Sequence, residues 1–145
     1  CAAGDASGQR LASLGVCRMT ATVTRSPVDV VTEFLDAVES SDMVSAARVL
    51  SDEQFSYRGP IDHFTSADEF IADLSKLSTI LKRIDRRRIF ADGEEVCAIV
   101  TFVTTIEEIA NTRAVHWARV QDGRIVSIEG FLDARAYARM FDPEL

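Results

Sequence analysis

The chain has 145 residues and a formal net charge of −7, with 47% hydrophobic and 27% charged residues. That describes one globular domain with enough apolar side chains for a core. The acidic balance excludes nucleic acid as the main partner, because phosphate binding needs a basic surface. No apolar run approaches the roughly 20 residues that span a bilayer, so no membrane partner is expected.

Three cysteines, Cys1, Cys17 and Cys97, fit neither a disulfide framework nor a zinc site. With two histidines and no close ligand spacing, no metal is expected. There is no Gly-rich phosphate loop and nothing that suggests a nucleotide or flavin, so no cofactor is expected either. These features together read as a cytoplasmic protein.

Residues 1 to 25 lack periodicity and read as a flexible leader. Met19 looks like a natural chain start, so the first 18 residues read as vector-derived or upstream sequence. A leading cysteine would alternatively mark a lipid-modified mature terminus. The domain then occupies residues 26–145.

Ser26-Pro27-Val28-Asp29 has the N-cap, the N1 proline and the acid of a helix start. Val30, Val31, Phe34, Leu35 and Val38 follow at helical spacing. Ser40-Ser41-Asp42 breaks the pattern and opens a second short helix through Leu50. Glu53 to Tyr57 reads as a strand ended by Arg58-Gly59-Pro60. Ser66 with Glu69 forms a capping box for a helix carrying Phe70, Ile71, Leu74, Leu77 and Ile80.

Three strand-like runs come next. Leu81 to Phe90 ends at Ala91-Asp92-Gly93. Its basic residues, Lys82-Arg83 and Arg86-Arg87-Arg88, read as a solvated strand face, with Asp85 and Arg87 as an alternative inward ion pair for an anionic substrate. Val96 to Ile106 is rich in β-branched residues. Thr112 to Val120 and Arg124 to Leu132 flank Asp122-Gly123, a strong hairpin turn signal. Asp133 caps a last helix with Tyr137, Met140 and Phe141. The order is α-α-β-α-β-β-β-β-α. A sheet of consecutive hairpins with helices on one face is an α+β fold with an antiparallel sheet.

Several local signals, in this order, carry a resemblance. They are Phe34-Leu35-Asp36-Ala37 and Asp42, Tyr57-Arg58-Gly59-Pro60, Phe90-Ala91-Asp92-Gly93, His116-Trp117 through Asp122-Gly123-Arg124-Ile125, and Phe131-Leu132-Asp133. Over roughly residues 27 to 141 the chain resembles the SnoaL-like branch of the nuclear-transport-factor-2-like superfamily. The resemblance implies a cone in which a curved antiparallel or mixed sheet wraps around N-terminal helices. It also implies an apolar pocket for a small organic ligand and a homodimer through the sheet face.

Superfamily members include isomerases, cyclases, dehydratases, hydrolases and non-catalytic binders, and fold alone does not choose among them. Two activities are disfavoured. The positions of the ketosteroid-isomerase residues hold Gly59, Phe34 and Val115, and the strand that would hold a limonene-type epoxide hydrolase pair, Val96 to Thr105, has no charged residue.

A two-residue turn at Asp122-Gly123 would set His116 opposite Glu129, with Cβ atoms about 4.5–5.5 Å apart. Such a pair suits proton transfer, or it stabilises a dimer interface. Strand alternation groups His116 with Ala118, Val120 and Glu129. The opposite face holds Val115, Trp117, Ile128 and Leu132 and, being more apolar, is the expected pocket wall. Tyr57 and Trp117, each an apolar body with a polar tip, are the leading ligand contacts. Phe34, Val115, Ile128 and Leu132 complete the pocket that the resemblance implies. Asp62 and His63 follow Gly59-Pro60 near the expected mouth, as acid and base or as surface polar residues. As an enzyme the protein would use His116, Glu129, His63 and Asp62 as proton carriers. The alternative is a non-catalytic ligand-binding or dimerisation module.

Overall fold

The computed structural model describes residues 25–141, the side chains of Tyr137, Met140 and Phe141 excepted. The expected leader, apart from Arg25, and the packing of those three side chains lie outside the described residues.

Helix α1, Pro27–Glu39, begins where Ser26 accepts a hydrogen bond from the Asp29 backbone N–H. Its apolar stripe, Val30, Val31, Phe34, Leu35, Ala37 and Val38, is buried. Asp42 caps the short α2, Met43–Arg48, through the backbone N–H of Ser45. Then follow β1 (Ser56–Arg58), β2 (His63–Phe64) and α3 (Ala67–Ser78). Ser66 caps α3 through the Glu69 N–H, as the capping box predicts. The long strands are β3 (Leu81–Asp92), β4 (Glu95–Thr104), β5 (Asn111–Gln121) and β6 (Arg124–Leu132). A 3₁₀ turn, Glu107–Ile109, lies between β4 and β5, and α4, Arg135–Phe141, closes the described chain. Asp133 accepts the Arg135 backbone N–H at 3.1 Å at the start of α4.

The six strands form one sheet in the order β2-β1-β6-β5-β4-β3. The fold is α+β. The sheet is mixed rather than wholly antiparallel, because β1 runs parallel to β6. The chain reaches β1 from α1 and α2 on one side of the sheet, so hairpin reasoning does not govern that pair. The two-residue strand β2, read from sequence as loop, pairs with β1 through Tyr57 with Phe64 and Arg58 with His63.

The core lies between the helices and one face of the sheet. Val96, Ala98, Val100 and Phe102 of β4 point inward, with Ala114, Ala118 and Val120 of β5 and Ile125 and Ile128 of β6. Arg86 ties β3 to α1 through Asp36 at 2.6 Å and Glu39 at 3.5 Å. The inward Asp85–Arg87 pair is not found: Asp85 instead accepts from Arg83 at 2.8 Å on the exposed side.

The β5–β6 turn forms as predicted, with Asp122 and Gly123 both at positive φ, +54° and +77°. The register does not stay as that turn sets it. Val120 pairs with Ile125, but Arg119 pairs with Ser127, which leaves Val126 as the extra residue of a β-bulge. Beyond the bulge the faces of β6 are exchanged relative to a regular hairpin. Ile125 and Ile128, three apart, are therefore both buried.

Candidate functional site

The bulge decides which residues meet. His116 pairs with Gly130, and Trp117 pairs with Glu129. The expected His116–Glu129 pair is thus broken: His116 lines a cavity on the inner face, and Glu129 lies in an outer-face groove with Trp117 and His63. The expected pocket wall is corrected as well. Trp117 is 46% exposed, and its indole N–H donates to Glu95 at 2.8 Å. Val115 is on the same outer side. Arg113 and Arg119 share the parity of Trp117, and burying two charges is far costlier than exposing one indole.

The inner cavity has a volume of about 310 Å³. Its wall is mostly apolar, with Phe70, Leu74 and Leu77 of α3, Phe102 of β4 and Leu132 of β6. Five polar side chains reach it: Tyr57, Asp62, Asp73, Lys76 and His116. Ile128 packs in the core next to Tyr57, its partner in the β1–β6 ladder. Phe34 lies one layer back, its ring 6.1 Å from that of Phe70. His63 is exposed on the outer face, where Arg58 is the register partner of both His63 and Glu129.

Tyr57 and His116 are held by small neighbours. The Tyr57 ring stacks on Phe70 with centroids 4.6 Å apart. A Cβ on Gly59 would stand 2.6 Å from the Tyr57 hydroxyl oxygen, and one on Gly130 would stand 3.0 Å from it and 3.5 Å from His116 Cδ2. Two glycines therefore make the space that the phenol occupies. His116 lies between Ala98 and Gly130 across the sheet, with Ala114 and Ala118 two residues either way along its strand. Its ring tilts against Phe102 at 5.5 Å. No hydrogen bond holds the ring among the described residues.

Burial sets the charge states. It pushes the Tyr57 phenol up to about 12, helped by the negative charges of Asp62 and Asp73. It pulls His116 down to about 4 with no charged neighbour contributing. Asp73 is raised by burial and by Asp62, with Lys76 opposing. At neutral pH the phenol and the imidazole are both neutral, able to donate or accept hydrogen bonds without carrying charge into an apolar space.

Asp73 and Lys76 escaped sequence reading. A signal for Asp73 was present: it interrupts the apolar stripe Phe70, Leu74, Leu77 of α3 on its buried side. An acid within such a stripe is a candidate for a cavity.

An α+β sheet with helices over one face and a small-molecule-sized cavity between them is the architecture of the nuclear-transport-factor-2-like superfamily. The sequence model of the SnoaL-like domain matches residues 31–128, and the chain belongs to that family. Solved structures agree on the fold. A nuclear-transport-factor-2-like protein of unknown function from Cytophaga hutchinsonii is 22% identical, with a TM-score of 0.68 over 80% of this chain and 97% of that one. A protein from Kribbella flavida, also 22% identical, has a TM-score of 0.71 over 85% and 100% of the two chains. An LEH-like epoxide hydrolase from M. tuberculosis is 20% identical, with a TM-score of 0.65 over 81% and 96%. No curated protein matches the sequence. Among the described residues no helix is long and apolar enough to cross a membrane.

Proposed function

We propose that the chain is a cofactor-independent enzyme that moves a proton on a small, largely apolar carbonyl compound held in the inner cavity. The observation that supports this is the convergence of Tyr57, His116 and Asp73 on one apolar space. A carboxylate with a raised pKa is a stronger base than a solvated one. It would take a proton from the carbon beside the carbonyl. The C–H electron pair would pass to the carbonyl oxygen, which the Tyr57 hydroxyl and the neutral His116 imidazole would meet as donors. Return of the proton to another carbon would complete an isomerisation; alternatively the enolate pair would form a C=C bond as the β C–O bond breaks, the hydroxyl taking the proton from Asp73 and leaving as water, which is a dehydration. In this reading Asp62 tunes Asp73 rather than acting alone, and His63 and Glu129 take no part in the proton transfer. A cytoplasmic location and a homodimer through the outer sheet face belong to the same reading. Phe90 and Trp117, 45% and 46% exposed and in one cross-strand row through Cys97, make that face apolar enough for a second copy.

The second reading is a ligand binder without catalysis. It is favoured by the lack of any hydrogen bond fixing the Tyr57 hydroxyl or the His116 ring among the described residues, since preorganised donors are normally held in place. Incubation with 1-indanone and 2-cyclohexenone in D₂O, followed by NMR, separates the two. Enzyme-dependent deuteration beside the carbonyl, reduced roughly 10²–10⁴-fold by Asp73→Asn, supports the enzyme. Ligand-induced shifts at the cavity with no deuteration leave the binder.

A further inference from the structure

The largest groove among the three described here, about 660 Å³, is not the inner cavity. It lies at one end of the sheet, bounded by β3, β4, β5, β6, the 3₁₀ turn and α4, and Ile109 is the residue it has in common with the lining of the inner cavity. Four arginines line it, Arg87, Arg113, Arg135 and Arg139, against two acids, Glu108 and Asp133. The local balance is therefore positive in a chain whose net charge is −7.

Local pairing does not absorb that charge. Asp133 is committed to Arg135, whose guanidinium meets its carboxylate at 2.9 Å and 2.5 Å. Arg87, Arg113 and Arg139 make no ion pair or side-chain hydrogen bond among the described residues, and of the three only Arg139 feels the Asp133 carboxylate, at longer range. They come from separate elements. Arg87 is the extra residue of a β-bulge between Arg86, opposite Val100, and Arg88, opposite Ile99. Arg113 stands opposite Thr101 on β5, and Arg139 is in the last turn of α4. Like charges repel, so three elements bringing unpaired guanidinium groups to one groove is costly without a counter-charge.

The floor between them is apolar. Ile99, Val115 and Phe131 are consecutive partners across β4, β5 and β6, which places them in one row. All three line the groove, and Phe131 is 49% exposed. Flat apolar floor and guanidinium rim together match one ligand chemistry, because arginine presents a planar fork to carboxylate or phosphate while the row of side chains covers a ring or short chain.

We propose that this groove is a second binding site, separate from the inner cavity, for a small organic anion with a flat apolar body and a carboxylate or phosphate head. The head lies between Arg87, Arg113 and Arg139, and the body lies on Ile99, Val115 and Phe131. The proposal does not depend on the inner cavity being catalytic.

The test is calorimetric titration of the full chain with 2-naphthyl phosphate, 2-naphthoate and neutral 2-naphthol. The expected result is saturable binding of one or both anions, at least tenfold tighter than naphthol and weakened by added salt. The two anions separate a phosphate-selective from a carboxylate-selective head site. The paired variant Arg87→Gln/Arg113→Gln should weaken anion binding tenfold or more, and Phe131→Ala should weaken anion and naphthol alike. These residues are exposed, so the variants should fold, which circular dichroism checks. His116→Gln should leave the affinity unchanged. Failure of both anions to bind at millimolar concentration, equal binding of naphthol, indifference to the arginine changes, or loss of binding with His116→Gln would each overturn the proposal.

Discussion

His116 is the cross-strand partner of Gly130, and the space where a Gly130 side chain would stand is bordered by both the His116 ring and the hydroxyl of Tyr57. A methyl group on Gly130 would stand 3.0 Å from that oxygen, closer than side chains normally pack. Gly130→Ala should therefore destabilise the protein by about 1–3 kcal/mol, the usual range for overpacking. The same change made in Tyr57→Phe removes the crowded oxygen and should cost less. Urea melts of the four proteins in this cycle give the coupling, expected at roughly 0.5 kcal/mol or more. Strict additivity would mean that the phenol moves aside freely and that Gly130 does not hold the site's shape.

Acid should weaken the fold through His116. An unfolded histidine has a pKa of 6.5, whereas burial holds His116 at about 4. Between those values the unfolded chain binds a proton that the folded chain does not, so stability falls as pH drops through that window. The full contribution is present above the unfolded pKa. It should be on the order of 2 kcal/mol, somewhat less than the full shift implies because the ring faces an open cavity. From pH 7.5 through 5.5 to 4.5, wild type should lose stability, read from unfolding midpoints, relative to His116→Gln. Parallel curves would place the imidazole in contact with bulk water.

Most of the fold was legible in the sequence for local reasons. Ser26, Asp42 and Ser66 are N-caps, and each accepts the backbone N–H it should. Asp122-Gly123 forms the turn that its residue types demand. What could not be read was longer-range. The pairing of β1 with β6 joins segments about seventy residues apart, and no local pattern encodes it. The bulge at Val126 carries no glycine or proline to mark it, yet it moves Glu129 from His116 to Trp117. Bulk hydrophobicity also misled, because Trp117 and Val115 look more like a core than Ala114 and Ala118. The charges Arg113 and Arg119 were the better guide to the outer face. Small residues around His116 mark where something else must fit.

The chain's single tryptophan reports on the outer face. Trp117 is half-exposed in the isolated chain, in the cross-strand row that runs through Cys97 to the equally exposed Phe90. If a second copy covers that face, the indole loses water as the dimer forms. Its emission should then shift to shorter wavelength as protein concentration rises, in step with the mass from sedimentation. Trp117→Arg should reduce dimerisation at least tenfold while leaving the inner cavity intact, because the side chain points away from it. A dimer that forms equally well with arginine there would use another surface.

Asp73 should trade stability for function. Burial and Asp62 raise its folded pKa above the ordinary aspartate value of 3.8. The folded chain therefore holds this proton more tightly than the unfolded chain does. That advantage is present at low pH and is lost as pH rises through the raised pKa. Burial in a largely apolar wall and the neighbouring Asp62 carboxylate both oppose the ionised form of Asp73, so its charge comes at a cost to the fold. Asp73→Asn keeps the shape and removes the charge. It should melt at a higher temperature than wild type at pH 7, and the difference should vanish near pH 3. Proton exchange on 1-indanone should fall in the same variant by roughly 10²–10⁴-fold. Gain in stability with loss of activity is the signature of a strained catalytic group. If Asp73→Asn were instead destabilising at pH 7, the carboxylate would be a structural partner to Lys76, and the base would have to be sought in Asp62.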